Sequence, residues 1–411
     1  MHSAYLDFYI YKKKLHMNTI HGLDRLKNDS KWAEKFKGTV GYLCNSASIS
    51  ADYSHGIQVI KGIFGSRFKK IYSPQHGLFA DVQDNMKESD HFFHPHFQLP
   101  VYSLYSETRS PTKEMLEGID HLIIDLQDVG TRVYTYIYTV ALSMQACAKA
   151  GIEVVILDRP NPIGGNKVEG NVLDTEYASF VGMYPIPMRH GLTVGEFALF
   201  IKKYFQVECD LTVVPLSNWV RKSYFDETGL PWVLPSPNLP SLDTAIVYAG
   251  SVLFEATTVS EGRGTVKSLE TIGHPEIKPF KWENQLRAIF NKIGLTGFIL
   301  RPLHFMPTFN KFEGVPCGGY QIHVTDRHVF EPWKVAQILI RELNILLDKH
   351  FSWTDPPYEY EYEKLPIDIL NGTDTLRKWV DSNGSYQELL EIESVNMDKY
   401  LDKRATILLY K

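Results

Sequence analysis

The chain has 411 residues, 44% of them hydrophobic and 22% charged, a balance that excludes a disordered polypeptide and exceeds what one ordinary core accommodates. A formal net charge of −5, with lysine and arginine dispersed apart from a run at residues 12–14, excludes the clustered basic surface of a nucleic-acid binder. No apolar run is long enough to span a bilayer, so no membrane partner is expected. The four cysteines, Cys44, Cys147, Cys209 and Cys317, form no C-x-x-C pair and read as buried thiols of a reducing compartment.

The first residues, MHSAYLDFYIYKKKLHM, place a short apolar stretch before the lysines, the reverse of a secretory signal. A cytoplasmic protein is therefore expected, with Met17 as an alternative start. Short β-branched runs then alternate with amphipathic stretches. The spacing predicts strands at 39–45, 69–73, 99–104, 121–127, 153–158 and 210–216, with helices at 56–64, 113–117, 134–150 and 194–205 between them. Strand, helix, strand at this spacing implies right-handed crossovers and an α/β fold with a Rossmann-like, mostly parallel sheet. The run HLIIDLQ is apolar on both faces, as a central parallel strand covered by helices should be. Thr193 and Glu196 match a capping box, which makes Glu196 structural.

Beyond residue 230 the texture changes. LPWVLPSPNLP carries four prolines, which favour turns and extended chain. A further strand is expected at 244–248, then a glycine-rich SEGRG segment. A smaller α+β domain follows, with helices at 281–292 and 332–347 and strands at 297–301 and 319–324. The expected division is 18–276 and 277–411.

Polar residues gather where these strands end. The first ends in Asn45-Ser46, the second in Ser73-Pro74-Gln75-His76-Gly77, the central one in DLQDVGTR with Asp125, Asp128 and Arg132, and the next in Asp158-Arg159-Pro160-Asn161. Strand carboxyl ends of an open α/β sheet line one crevice, so these clusters are expected to converge on one site. Each cluster taken alone also fits ordinary turn chemistry. Glu255 and Glu261 frame LFEATTVSEGRG, where Arg263 stands between two glycines. His91, His94 and His96 crowd one loop with Asp84 and Asp90 nearby, but the spacing matches no zinc pattern, and solvated loop histidines are the simpler account. Neither G-x-G-x-x-G nor a P-loop occurs, so no nucleotide cofactor and no metal is expected.

SPQHG followed by QDN, LIIDLQDVGTRVYTYIYT, ILDRPNPIGG, RHGLTVGE, PSPNLPSLDTA and LFEATTVSEGRGT occur in one order. In this the chain resembles the exo-β-N-acetylmuramidases of the NamZ type, from about Gly41 to the C-terminus. The resemblance implies a glycosidase that removes terminal N-acetylmuramic acid from peptidoglycan fragments, in a cleft between a Rossmann-like domain and a smaller partner, without metal or nucleotide. It also implies one departure. The family commonly reads P-E-H-G where this chain has Gln75, and that glutamate is the favoured catalytic group. A carboxamide neither gives nor takes a proton at working pH, which turns attention to Asp125 or Asp128 as the acid, with Gln75 orienting the sugar and His76 retained in the catalytic set. Arg132 or Arg263 would pair with the lactyl carboxylate. Asn45, Asp158, Arg159, Asn161 and Glu261 complete the expected binding set. A non-catalytic muropeptide-binding protein and a metal-assisted hydrolase are the alternatives. A cytoplasmic glycosidase would meet imported wall fragments, which implies recycling.

Overall fold

The computed structural model describes residues 18–81, 83 and 86–411. The basic run at 12–14, Met17 and Asp84 lie outside them.

The described residues build a seven-stranded sheet in the order β3-β4-β2-β1-β5-β6-β9. Its strands are β1 (Val40–Cys44), β2 (Phe68–Ser73), β3 (Phe92–His94), β4 (Leu99–Ser103), β5 (His121–Asp125), β6 (Glu153–Leu157) and β9 (Leu211–Val214). All neighbours pair in parallel except β3, which runs antiparallel to β4 at the edge. Each of the six strands read from the sequence lies within two residues of its predicted bounds. The chain moves outward from β1 through β2 and β4 on one side and through β5, β6 and β9 on the other. The crevice of such a sheet opens where that direction reverses, beside β1. A ribbon of β7 (Glu169–Val172) and β8 (Pro187–Arg189) and a three-stranded antiparallel sheet β10-β12-β11 follow. Those last strands are Thr271–His274 (β10), Phe298–Phe305 (β11) and Cys317–Val324 (β12).

Strand alternation divides the core in two. Tyr42, Cys44, Ile71, Ile123, Val155 and Leu157 point to one face, where α1 (Gly22–Asn28), α2 (Ser30–Lys35) and α3 (Gly56–Phe64) cover them. Leu43, Tyr72, Leu122, Ile124 and Ile156 point to the other, beyond α4 (Lys113–Leu116), against α5 (Tyr136–Ala150) and α6 (Val194–Tyr204). Thr193 caps α6 and the Glu196 carboxylate accepts the Thr193 N–H in return, as the capping box requires.

One expected strand is a helix. Residues 244–248 belong to α7 (Leu242–Ser251), whose residues from Thr244 to Ser251 are all buried. A five-residue apolar run enclosed on every side shows neither helical nor strand periodicity, so its β-branched content misleads. Helix α8 (Pro279–Ile293) packs on β11 and β12, and α9 (Pro332–Leu347) lies along α7 with Trp333 fully buried. Four short helices, α10 (Pro366–Asn371), α11 (Thr375–Asp381), α12 (Tyr386–Ser394) and α13 (Met397–Ala405), close the chain. Among the described residues no helix is long and apolar enough to cross a membrane.

Candidate active site

Where β2 ends, the Gly77 N–H donates to the Pro74 carbonyl at 3.1 Å and turns the chain sharply. His76 adopts a left-handed backbone there, with φ of 67°, a conformation that a non-glycine residue takes at some cost. The turn aims Gln75 into a polar cleft also lined by His76, Tyr134, Asn238, Arg263 and Glu359. The cleft is small, about 50 Å³, and opens to solvent.

Glu359 is the side chain at the floor that strand-end reasoning does not find. It comes from a two-residue hairpin turn in which Tyr358 and Glu361 exchange main-chain hydrogen bonds of 2.9 Å. Gln75 Nε2 donates to its Oε1 at 3.1 Å, and the Tyr105 hydroxyl, just beyond β4, donates to its Oε2 at 2.9 Å. Thr135 Oγ1 donates to Gln75 Oε1 at 2.6 Å, which fixes the orientation of the carboxamide. Burial pushes the Glu359 carboxyl above the usual glutamate range, and the negative charge of Glu255 adds to this against the pull of the Tyr105 and Gln75 hydrogen bonds.

A second carboxylate forms the wall. Glu255 Oε1 accepts from Arg263 Nη2 at 2.6 Å and its Oε2 accepts the Tyr358 hydroxyl at 2.7 Å. Arg263 Nε also lies 3.2 Å from Glu261 Oε1, while Lys311 Nζ meets Glu261 Oε2 at 2.9 Å. Burial works against the charged form of Glu261, but Lys311 and Arg263 outweigh it and hold the carboxyl below its usual range. Two acids and two bases thus neutralise one another beside the cleft.

Of the residues expected to converge, Gln75, His76 and Arg263 line the cleft. The others serve the scaffold behind it. Asp125 shares a strand face with Ile123, so it points to the α3 side. There it pairs with Arg159 (Nε to Oδ1, 2.5 Å) and accepts the Tyr42 hydroxyl at 2.6 Å, fully buried. Arg159 also donates to the Ile49 carbonyl at 2.9 Å. Asp158 receives the Gly195 N–H and the Thr193 and Tyr410 hydroxyls. Asn45 bridges Tyr136 and the Pro235 carbonyl, and Asn161 donates to the Leu192 carbonyl. Asp128 Oδ2 accepts the Gly130 N–H at 2.6 Å and lies 3.5 Å from His190 Nε2. Arg132 is enclosed by the main-chain carbonyls of Asn171, Ile186, Leu370 and Asn371, at 2.7 to 3.1 Å, and does not reach the cleft. Asp125 and Asp128, expected as the acid, and Arg132, expected against a substrate carboxylate, are thus not among the residues that line this cleft. Asp128 Oδ1 and Arg132 Nε have no hydrogen-bond partner among the described residues, whereas Asp125 is held by Arg159 and Tyr42 and the terminal nitrogens of Arg132 by carbonyls. The histidine loop is engaged likewise: His91 Nδ1 accepts from Ser103 N and His94 Nδ1 from His96 N.

A family model described as the N-terminal part of exo-β-N-acetylmuramidase NamZ matches residues 40–243, and its C-terminal counterpart matches 246–410. The chain belongs to the NamZ family. It is a glycosidase of the exo-β-N-acetylmuramidase kind. It is 38% identical over 390 residues to the peptidoglycan β-N-acetylmuramidase NamZ of Bacillus subtilis (strain 168), covering 95% of this chain and 91% of that protein. Two crystal structures of DUF1343 family proteins from Bacteroides fragilis NCTC 9343 superpose on 96% of it. Their TM-scores are 0.84 and 0.73 at 28% and 27% identity, with 100% and 99% of those chains covered. The cleft draws on both NamZ parts: Gln75 and Asn238 fall in the first, and Glu255, Arg263 and Glu359 in the second.

Proposed function

We propose that this protein removes terminal N-acetylmuramic acid from peptidoglycan-derived fragments, in the cleft floored by Gln75 and Glu359. The observation that carries this reading is the meeting, in one polar cleft between the two family parts, of a buried carboxyl at Glu359 and an ion-paired one at Glu255. Glycosidic cleavage needs a carboxyl acid at the bond and a second group to stabilise the anomeric carbon, either another carboxylate or the sugar's own acetamido oxygen. The 38% identity to a peptidoglycan β-N-acetylmuramidase supports the choice of sugar. Gln75 then acts as a hydrogen-bonding floor, and Arg263 is the arginine of the two expected ones that lines the cleft, where it is paired with Glu255 and Glu261.

The test is incubation of the purified protein with a disaccharide carrying non-reducing-end N-acetylmuramic acid, with products followed by mass spectrometry. Multiple turnovers releasing the free sugar are expected. Binding measured by calorimetry without product would replace this reading with that of a muropeptide-binding protein.

A further inference from the structure

We infer that Glu359 is the proton donor of this site, supplying from the C-terminal part the carboxyl group that Gln75 lacks. The inference rests on the hydrolysis proposed above and names a residue for it.

Three observations converge on Glu359. The first is placement. Its carboxyl group is held from two sides, by Gln75 Nε2 at 3.1 Å and Tyr105 at 2.9 Å, so it is fixed in the cleft directly beside the Gln75 carboxamide. The second is the turn that presents it. Residues 358–361 form a hairpin turn in which both central residues, Glu359 and Tyr360, have positive φ, of 45° and 66°. Turns of that kind strongly favour Asn-Gly or Gly-Gly, because a side chain strains the left-handed backbone. A turn with two unsuited residues persists only where its surroundings enforce it, and Tyr360 is clamped by Arg109, whose guanidinium lies 3.7 Å from the ring centroid. The third is the state of the other carboxylate. Glu255 is paired with the Arg263 cation, which suits a fixed negative charge, whereas the partners of Glu359, Gln75 and Tyr105, are neutral.

The proton balance follows. As the bond between the anomeric carbon and the leaving oxygen breaks, its electron pair stays on that oxygen, which takes the proton of Glu359. The sugar's acetamido oxygen closes on the anomeric carbon to form an oxazolinium. Water then adds to that carbon, the ring opens, and the proton that the water loses returns to Glu359. One water is consumed and the enzyme is unchanged.

The experiment compares wild type and Glu359→Gln on the disaccharide and on an aryl N-acetylmuramide whose phenol leaves without a proton. For the disaccharide kcat/KM should fall by about 100-fold or more, the usual scale for losing a general acid. For the aryl substrate it should fall far less, by under about tenfold. An equal fall on both substrates, or none on the disaccharide, overturns the assignment. If the variant fails to fold, wild type alone decides: the disaccharide should show an alkaline limb in kcat/KM that the aryl substrate lacks, and the same limb on both overturns it. A wild type that cleaves neither substrate overturns the proposed function and this assignment with it. A wild type that cleaves both while Glu359→Gln matches it overturns the assignment alone.

Discussion

Arg132 and Glu359 exchange the roles that their sequence contexts suggest. Arg132 stands in a polar strand end, yet both terminal nitrogens of its guanidinium donate to main-chain carbonyls, four in all, from β7, the loop before β8, and α10. Arg132→Gln should therefore cost about 3 kcal/mol of stability, because buried carbonyls lose a charged donor. KM of the folded fraction should stay within a factor of about two, since no ligand contact is lost. Denaturant unfolding and steady-state kinetics check this, and a KM raised tenfold at unchanged stability would restore Arg132 to the binding site. Gln75 and His76 were legible because the turn after β2 is built on Pro74 and Gly77, both strong local signals. Arg263 was legible through its flanking glycines. Glu359 was not. It sits in PPYEYEYEK, which reads as an acidic, solvated stretch, and only the long-range contact with Gln75 shows that one of its three glutamates is buried.

At the scale of elements, the parallel strands were legible because strands covered on both faces are continuously apolar and bounded by turn residues. The buried helix α7 was not, for the same reason: uniform burial erases the period that distinguishes helix from strand. Two glycines show how packing, rather than helix propensity, governs these elements. A Cβ on Gly250 of α7 would meet the Pro332 carbonyl oxygen of α9 at 1.9 Å, which only backbone movement can relieve. Gly62 of α3 faces open space. Gly250→Ala should destabilise by about 2–3 kcal/mol through that clash. Gly62→Ala should stabilise by up to about 1 kcal/mol, as expected where a helix gains a methyl and loses only unfolded-state freedom. Thermal unfolding of the pair is the check. A Gly250→Ala that does not destabilise would mean that α7 and α9 separate freely, and a destabilised Gly62→Ala would remove the second expectation.

Across the whole molecule, buried carboxyl groups fasten the N-terminal sheet to later parts of the chain. Asp158, at the end of β6, holds the start of α6 and Tyr410 near the C-terminus. Glu169, at the start of β7, accepts the Trp333 and Lys334 N–H groups at 2.9 and 3.2 Å and so caps α9. Burial pushes each of them up to about 7, against the hydrogen bonds that Asp158 accepts and the Arg189 charge near Glu169. The unfolded chain releases these protons near pH 4 and the folded chain near pH 7. Between those values the folded state holds more protons, so the contribution of each group to stability falls as pH rises. Buried His21 and His274 and half-buried His55, whose values are lowered chiefly by desolvation, oppose this below about pH 6.5, because only the unfolded chain charges them readily. The wild-type curve therefore mixes both signs, and the informative quantity is the difference made by one variant. Glu169→Gln keeps an oxygen to accept from Trp333 and Lys334 but does not titrate. Relative to wild type it should gain about 1–2 kcal/mol between about pH 5.5 and pH 7.5, since each unit of pKa difference is worth about 1.4 kcal/mol. Denaturant unfolding of both proteins across that range measures it. A constant difference would mean that Glu169 is ionised throughout, held so by Arg189 and the start of α9, and that its charge, rather than a proton, joins the two parts of the chain.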